Sequence, residues 1–243
     1  MQKIIAYPLT AIYALTFLVI LLIFHPIQWV CFNVFGYHPH RISVAYLNLS
    51  LLRCAHILGT RYTFHNPHDI PLNRPAIIVS NHQSMNDIPP IVWWMRKFEP
   101  KFVSKKELGK GIPSVSYNLR HGGSVLIDRT DPKQSLNQII NLGKYIETHK
   151  RAAVIFPEGT RSRNGSPKPF KTTGLKLLIR NAPSALIIPI SINNSWKMLK
   201  YGKFPYGLGN HIKINVHAPV EIQGDIDTLI TEIETTITSA VNI

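Results

Sequence analysis

The chain has 243 residues, a length that fits one globular domain with an appendage and leaves room for a substantial core. Its 27 Lys and Arg against 13 Asp and Glu give a formal net charge of +14, which points to a polyanionic partner, either nucleic acid or an anionic membrane surface. Cys31 and Cys54 are too few and too badly placed for a disulfide framework or a metal site, and they fit a reducing compartment.

The N-terminus decides between the two partners. Ile4 to Phe24 is a run of 21 residues without a charged side chain, and a helix needs about 20 to cross a hydrocarbon core. A membrane is therefore expected, and nucleic acid is not. Secretory signals have apolar runs of only about 7–15 residues, and no small-residue cleavage site stands out before Phe32, so the segment reads as retained. Pro8 falls near the start of this helix, where it is tolerated, and Pro26 predicts a stop or kink before Gln28. Trp29, Tyr37 and Arg41 have interfacial character. Val44 to Leu58 is again apolar apart from Arg53 and His56. Residues 1–58 are thus read as a membrane-associating helical element that spans the bilayer, dips into it or lies on it; the alternative is a buried core helix.

Residues 59–243 change character. Candidate strands are Pro75–Ser80, Lys101–Ser104, Ser124–Asp128, Ala152–Pro157, Ala185–Ile192 and His211–Val216, and several are short continuous apolar runs of the kind covered on both faces. Ser135–Lys150 and Thr172–Asn181 are helical in pattern and lie between strands. The predicted fold class is therefore α/β, a mostly parallel or mixed sheet flanked by helices. In the tail, Ile226, Leu229, Ile230, Ile233 and Ile237 recur at helical spacing and predict an amphipathic helix packed on the domain, with a partner-binding helix as the other reading.

Three segments carry chemistry. His82 follows the apolar run Ala76–Ser80 and should sit where a strand emerges into a loop, and Pro89-Pro90 place a helix start at about Asp87. Five residues apart on one helix, His82 and Asp87 would diverge by about 140°; a loop followed by a helix start lets them meet. Asp87 can then hold one imidazole nitrogen while the other takes a proton from a hydroxyl. The plainer readings are an N-cap for Asp87 and a satisfied loop histidine for His82.

The strand Gly123–Asp128 delivers Asp128 and Arg129 at its end, either as an ion pair or with Arg129 as a phosphate contact. The strand Ala152–Phe156 runs into Pro157-Glu-Gly-Thr-Arg-Ser-Arg163. There Gly159 permits close backbone approach, Thr160 offers a hydroxyl and Arg161 a planar fork for two phosphate oxygens. Glu158 is unusual beside an anion and is expected to orient Arg161 or a loop amide; a charged surface turn is the plainer reading of the segment.

Together these motifs resemble the 1-acyl-sn-glycerol-3-phosphate acyltransferases and related glycerolipid acyltransferases. Asn81, His82, Ser84 and Asp87 match the family's Asn-His-x-Ser-x-x-Asp block; Gly123, Ile127, Asp128 and Arg129 match Gly-x-x-x-Ile-Asp-Arg; Phe156 to Ser162 match Phe-Pro-Glu-Gly-Thr-Arg-Ser throughout. Ile188-Pro189-Ile190 corresponds to a fourth, apolar block, and Ser104–Leu108, Phe170-Lys171 with Gly174, and Ser195-Trp196 are lesser echoes. The likeness covers roughly residues 60–220. It implies transfer of a fatty acyl group from acyl-coenzyme A or acyl-carrier protein to the sn-2 hydroxyl of lysophosphatidic acid. His82 and Asp87 would be catalytic; Arg161, with Arg129 and Lys105 and the Glu158–Thr160 turn, would be on the substrate side. The co-substrate is the only cofactor-like molecule implied, with no metal, and the catalytic domain would face the cytoplasm from the inner or cytoplasmic membrane. Other readings are a different lysophospholipid or lyso-aminolipid acceptor, a lipid hydrolase or transacylase with the same dyad, and a non-enzymatic basic protein.

Overall fold

The computed structural model of the protein describes residues 2–242. The charge-free run forms one long helix, α1 (Gln2–Phe35). Of the stop or kink expected at Pro26, the stop is not found: α1 continues to Phe35 and ends at Gly36, whose φ of 84° turns the chain at a position where a side chain would be strained. A proline costs a helix one hydrogen bond and some crowding. Here the turns beyond Pro26 are held by Asn33, which donates to the Trp29 carbonyl (2.8 Å) and to the Tyr117 hydroxyl (2.7 Å). Helix α2 (Tyr37–Cys54) folds back along α1: Phe32 meets His40 near the turn, and the Cys54 thiol reaches the Tyr13 carbonyl at the far end. The two form an antiparallel helical pair.

The rest of the chain supplies β1 (Arg61–His65), β2 (Ala76–Ser80), α3 (Ile88–Trp94), β3 (Lys101–Lys105), α4 (Val115–His121), β4 (Val125–Ile127) and α5 (Pro132–His149). After these come β5 (Ala152–Ile155), α6 (Thr172–Asn181), β6 (Leu186–Asn193), β7 (His211–Val216), β8 (Val220–Glu221) and α7 (Ile226–Ser239). The strands make one mixed sheet in the order β1-β7-β6-β2-β5-β3-β4, with β8 beside β6. β6, β2, β5, β3 and β4 run parallel, while β7 and β8 oppose β6.

Alternation along the strands builds a core on each face. Ile78, Val154, Ile188, Ile190 and Ile212 pack with Ile91 of α3, Val44 and Cys54 of α2, and Tyr13 of α1. Ile77, Val79, Ile155 and Ile187 pack on the other face with Leu142 of α5, Leu178 of α6 and Leu229, Ile230 and Ile233 of α7. The tail helix is thus docked on the domain, and the N-terminal pair shares its core. All six strands read from sequence are present. β1 and β8 are additional: Arg-Tyr-Thr-Phe-His forms an edge strand too polar to stand out, and β8 has two residues.

Helix α1 is fastened to the domain along its length. Thr10 Oγ1 accepts from the Tyr206 amide (2.9 Å), the Leu21 carbonyl accepts from Ser114 Oγ (2.6 Å), and Asn33 reaches Tyr117. Its other side leaves Ile12, Leu15, Leu18, Val19, Leu22 and Ile23 exposed. A polar cluster ties α2 to the amino end of β3: Glu99 accepts from Tyr37 (2.7 Å) and pairs with Arg151 (2.7 Å) and Arg41 (3.3 Å), while Lys101 donates to Tyr37 (2.6 Å). Burial, then the Arg151 charge, pulls the Lys101 ammonium down to about 7.

Candidate active site

The parallel strands β2, β5, β3 and β4 all end on one edge of the sheet; His82 and Asp87 follow β2, the 156–162 segment follows β5, Lys105 is the last residue of β3, and Asp128 and Arg129 follow β4. Open α/β sheets present ligand sites outside these carboxyl ends.

After β2 the chain leaves the sheet through Asn81. Its buried side chain donates to the Ile192 carbonyl (2.8 Å) and accepts from the Ile192 amide (2.7 Å), fixing the end of β2 to β6. A helical turn, Met85–Asp87, then leads into α3 with Pro89 and Pro90 in its first turn, so Asp87 stands at the helix start, as predicted. Its carboxylate caps the preceding turn instead of α3. Asp87 Oδ2 accepts from the Gln83 amide (2.7 Å), the Ser84 amide (2.9 Å) and His82 Nδ1 (2.8 Å). Asp87 Oδ1 accepts from the Ser195 hydroxyl. Four donors surround a carboxylate with no exposed surface, and that is what makes a buried charge tolerable.

An ionised carboxylate can only accept, so the Nδ1 proton of His82 lies toward Asp87 and Nε2 of the neutral ring is left as an acceptor. Phe156 stacks on the imidazole with centroids 4.2 Å apart and planes 18° from parallel.

The loop after β5 grips the same histidine by its backbone. Glu158 Oε1 accepts from the His82 amide (2.8 Å), and the His82 carbonyl accepts from the Ser162 amide (2.8 Å). Glu158 Oε2 accepts from the Lys168 amide (3.2 Å). Glu158 is 2% exposed and both its oxygens serve loop amides, the amide-orienting role expected of it; the place on the substrate side that the resemblance implied is corrected to a strut between the two motifs. Burial pushes its carboxyl above the ordinary range, against the His82 and Lys168 amides.

Gly159 has φ of 68°, a conformation that favours glycine, and its amide closes a turn onto the Phe156 carbonyl (3.0 Å). It is therefore engaged and cannot be an oxyanion donor. Among the described residues the Thr160 and Arg161 amides have no protein acceptor. Thr160 and Arg161 are exposed. Lys168 Nζ braces their loop by donating to Thr160 Oγ1 (2.9 Å) and the Arg161 carbonyl (3.0 Å), and the Lys171 ammonium lies over Gly159. Burial pushes the Tyr206 hydroxyl up, against the pull of the nearby Arg161 charge, and its ring makes an edge contact with Tyr13 of α1.

Lys105 and Arg129 are exposed at the ends of β3 and β4. In the sheet order they lie two and three strands from β2, about 10 and 14 Å across at ordinary strand spacing. They share the edge but do not join the dyad, whereas Arg161 follows the strand next to it. Asp128 pairs with Lys106 (3.5 Å) and accepts from Thr130, so the Asp128–Arg129 ion pair does not form among the described residues. Gln83, Lys168, Ser195 and Tyr206 belong to the site without having been assigned a role from sequence; only Ser195-Trp196 carried a signal.

At the carboxyl edge of an α/β sheet, a His–carboxylate pair with a free Nε2 acceptor is thus latched to a loop that presents an exposed arginine and, among the described residues, two unpartnered amides. The chain belongs to the acyltransferase family, whose model matches residues 61–193. A 1-acyl-sn-glycerol-3-phosphate acyltransferase of Helicobacter pylori is 36% identical over 134 residues, 51% of this chain and 54% of that protein. The chloroplastic enzyme LPAT1 of Arabidopsis thaliana, also named a 1-acyl-sn-glycerol-3-phosphate acyltransferase, is 31% identical over 60% of this chain and 39% of its own length. The alpha enzyme of Homo sapiens is 26% identical over 73% and 61%. The chain therefore spans less than two thirds of each of these relatives. The crystal structure of the 1-acyl-sn-glycerophosphate acyltransferase of Thermotoga maritima shares the fold, with a TM-score of 0.65 and 23% identity over 93% of this chain and 95% of that one.

Replacing Glu158 with Ala strands two loop amides. The expected loss is about 1.5–3 kcal/mol of unfolding free energy, read by denaturant unfolding in detergent. No loss would mean that the strut is not needed.

Proposed function

We propose that the protein transfers a fatty acyl group from an acyl thioester, carried by coenzyme A or acyl-carrier protein, to the sn-2 hydroxyl of 1-acyl-sn-glycerol-3-phosphate, forming phosphatidic acid. The observation that carries this reading is the double grip on His82: Asp87 holds the ring, and the 158–162 loop, which presents Arg161, holds the backbone. A base for a hydroxyl and a cradle for a phosphate are fixed to one another, as a phosphorylated alcohol requires. The names of the relatives point to the same acceptor.

In the proposed step His82 Nε2 takes the hydroxyl proton as the oxygen attacks the thioester carbonyl. The tetrahedral oxyanion collapses with cleavage of the C–S bond, and the departing thiolate takes the proton back from the imidazolium. Asp87 stabilises the transient imidazolium. The Thr160 and Arg161 amides are candidates for the phosphate or the oxyanion, and Arg161 binds the phosphate, with Lys105 and Arg129 drawing anionic lipid and donor to the edge. Written this way the reaction requires no metal and no cofactor beyond the donor.

The lipid would arrive along α1. From Thr10 to Asn33 the helix is tied to the domain over about 35 Å at 1.5 Å per residue. A helix so fastened would lie in the membrane interface, with Leu15, Leu18 and Leu22 toward the acyl chains and the edge carrying His82 beside it, facing the cytoplasm where the thioester donors are made. Tyr13 reaches Asn86 (3.4 Å), beside Asp87, which brings this helix to the dyad.

With purified protein, acyl thioester and lysophosphatidic acid, His82→Ala should lower phosphatidic acid formation by about 10²–10⁴-fold. Arg161→Ala should act mainly through KM for the phosphorylated acceptor, raising it about tenfold or more. Product from another lysolipid in place of lysophosphatidic acid would replace the acceptor, and full activity of His82→Ala would overturn the mechanism. Serines at Leu15, Leu18 and Leu22 together should shift the protein from vesicles containing anionic lipid toward the supernatant on flotation; undiminished flotation would contradict the in-plane helix.

A further inference from the structure

Ser195 plays no part in the steps above. It opens the helical turn Ser195–Leu199 just beyond β6, after Asn194 in a left-handed conformation (φ 69°), and it is completely buried. It is nevertheless bonded to three residues of the dyad loop. Its hydroxyl donates to Asp87 Oδ1 and lies 2.5 Å from Ser84 Oγ. Its amide donates to Gln83 Oε1 (2.9 Å), while Gln83 Nε2 donates to the Gly165 carbonyl (3.2 Å) in the loop after β5.

The direction of the hydroxyl protons follows from chemistry. Asp87 accepts only, so the Ser195 proton points to Oδ1, and Ser84, which accepts from the Asn86 amide (3.0 Å), is left to donate to Ser195. The three donors on Oδ2 are His82 itself and two amides of its own loop. Among the described residues Ser195 is the one donor on Oδ1, and it comes from a different strand. It is the group that fixes the rotation of the carboxylate independently of the loop that the carboxylate organises.

We infer that Ser195 is a positioning residue for acyl transfer: it locks the Asp87 carboxylate so that Oδ2 stays on His82 Nδ1 and Nε2 stays aimed at the acceptor hydroxyl. The kinetic consequence rests on the proposed acyl transfer; the orientation of His82 does not.

The test combines a mutant cycle with a spectroscopic readout on proteins whose thermal unfolding shows them folded. Ser195→Ala should lower kcat by about 10- to 100-fold while KM for both substrates stays within about twofold. In the Asp87→Asn background the same change should cost nothing further, because its effect passes through Asp87. In imidazole-labelled protein in detergent, the hydrogen-bonded Nδ1 proton signal of His82 should be lost or exchange-broadened in Ser195→Ala. If that variant does not fold, Ser195→Cys, similar in size and a weaker donor, should move both readouts in the same direction. Unchanged kcat with an unchanged His82 signal overturns the inference, as does an equal loss in both backgrounds. A wild type that makes no product, with a His82 signal that still depends on Ser195, would remove the proposed function and leave the positioning role standing.

Discussion

The carboxylate of Asp87 is the group on which the organisation of the candidate site depends. A buried carboxylate is strongly destabilising unless donors replace its water, and here the donors come from two strands. The Gln83 and Ser84 amides and His82 Nδ1 follow β2; the Ser195 hydroxyl follows β6. They converge because β2 and β6 pair in parallel with Ser80 opposite Ile190, and because Asn81 carries the connection beyond the last paired residue to Ile192. The continuous apolar runs that specify these buried strands are thus also what places the donors around Asp87. Sheet order and charge stabilisation are one requirement.

The neighbouring strand supplies the second fixed point. β5 lies against β2 on the side away from β6, and the loop that leaves it holds the His82 peptide at both ends, through Glu158 and Ser162. His82 is therefore constrained at its ring by the β2–β6 side and at its backbone by the β5 side. Arg161 moves with that second constraint. In the proposed reaction this matters more than the strength of any one contact, since an acceptor held by its phosphate must place its hydroxyl against Nε2. The apolar helix α1 completes the arrangement from outside the sheet, reaching Asn86, beside the dyad, through Tyr13.

Much of this was legible in the sequence because it is local. The strand runs, the helix start forced by Pro89-Pro90, the convergence of His82 and Asp87, and the docking of the tail helix follow from periodicity and proline chemistry, and the family blocks identified the loop after β5. What was not legible depends on distant pairing. Ser195 stands 108 positions from Asp87, and nothing about an isolated serine announces that it will face a carboxylate. That Glu158 would orient a loop amide was legible from its oddity beside an anion, but which amides it holds, those of His82 and Lys168, depends on how the turn folds its carboxylate inward. Pro26 was expected to stop or kink the helix, and tertiary anchoring carries it on to Phe35. The edge strand β1 escaped because a polar strand paired on one side resembles a loop.

In the proposed reaction His82 activates the acceptor hydroxyl directly, so that the acyl group never rests on the protein. Intact-mass spectrometry of the purified protein after incubation with an acyl thioester and no acceptor tests this most directly. Direct transfer leaves the protein unmodified, with product and free thiol appearing together once the lysolipid is added. A stoichiometric acyl adduct that chases into product on addition of the acceptor would contradict it.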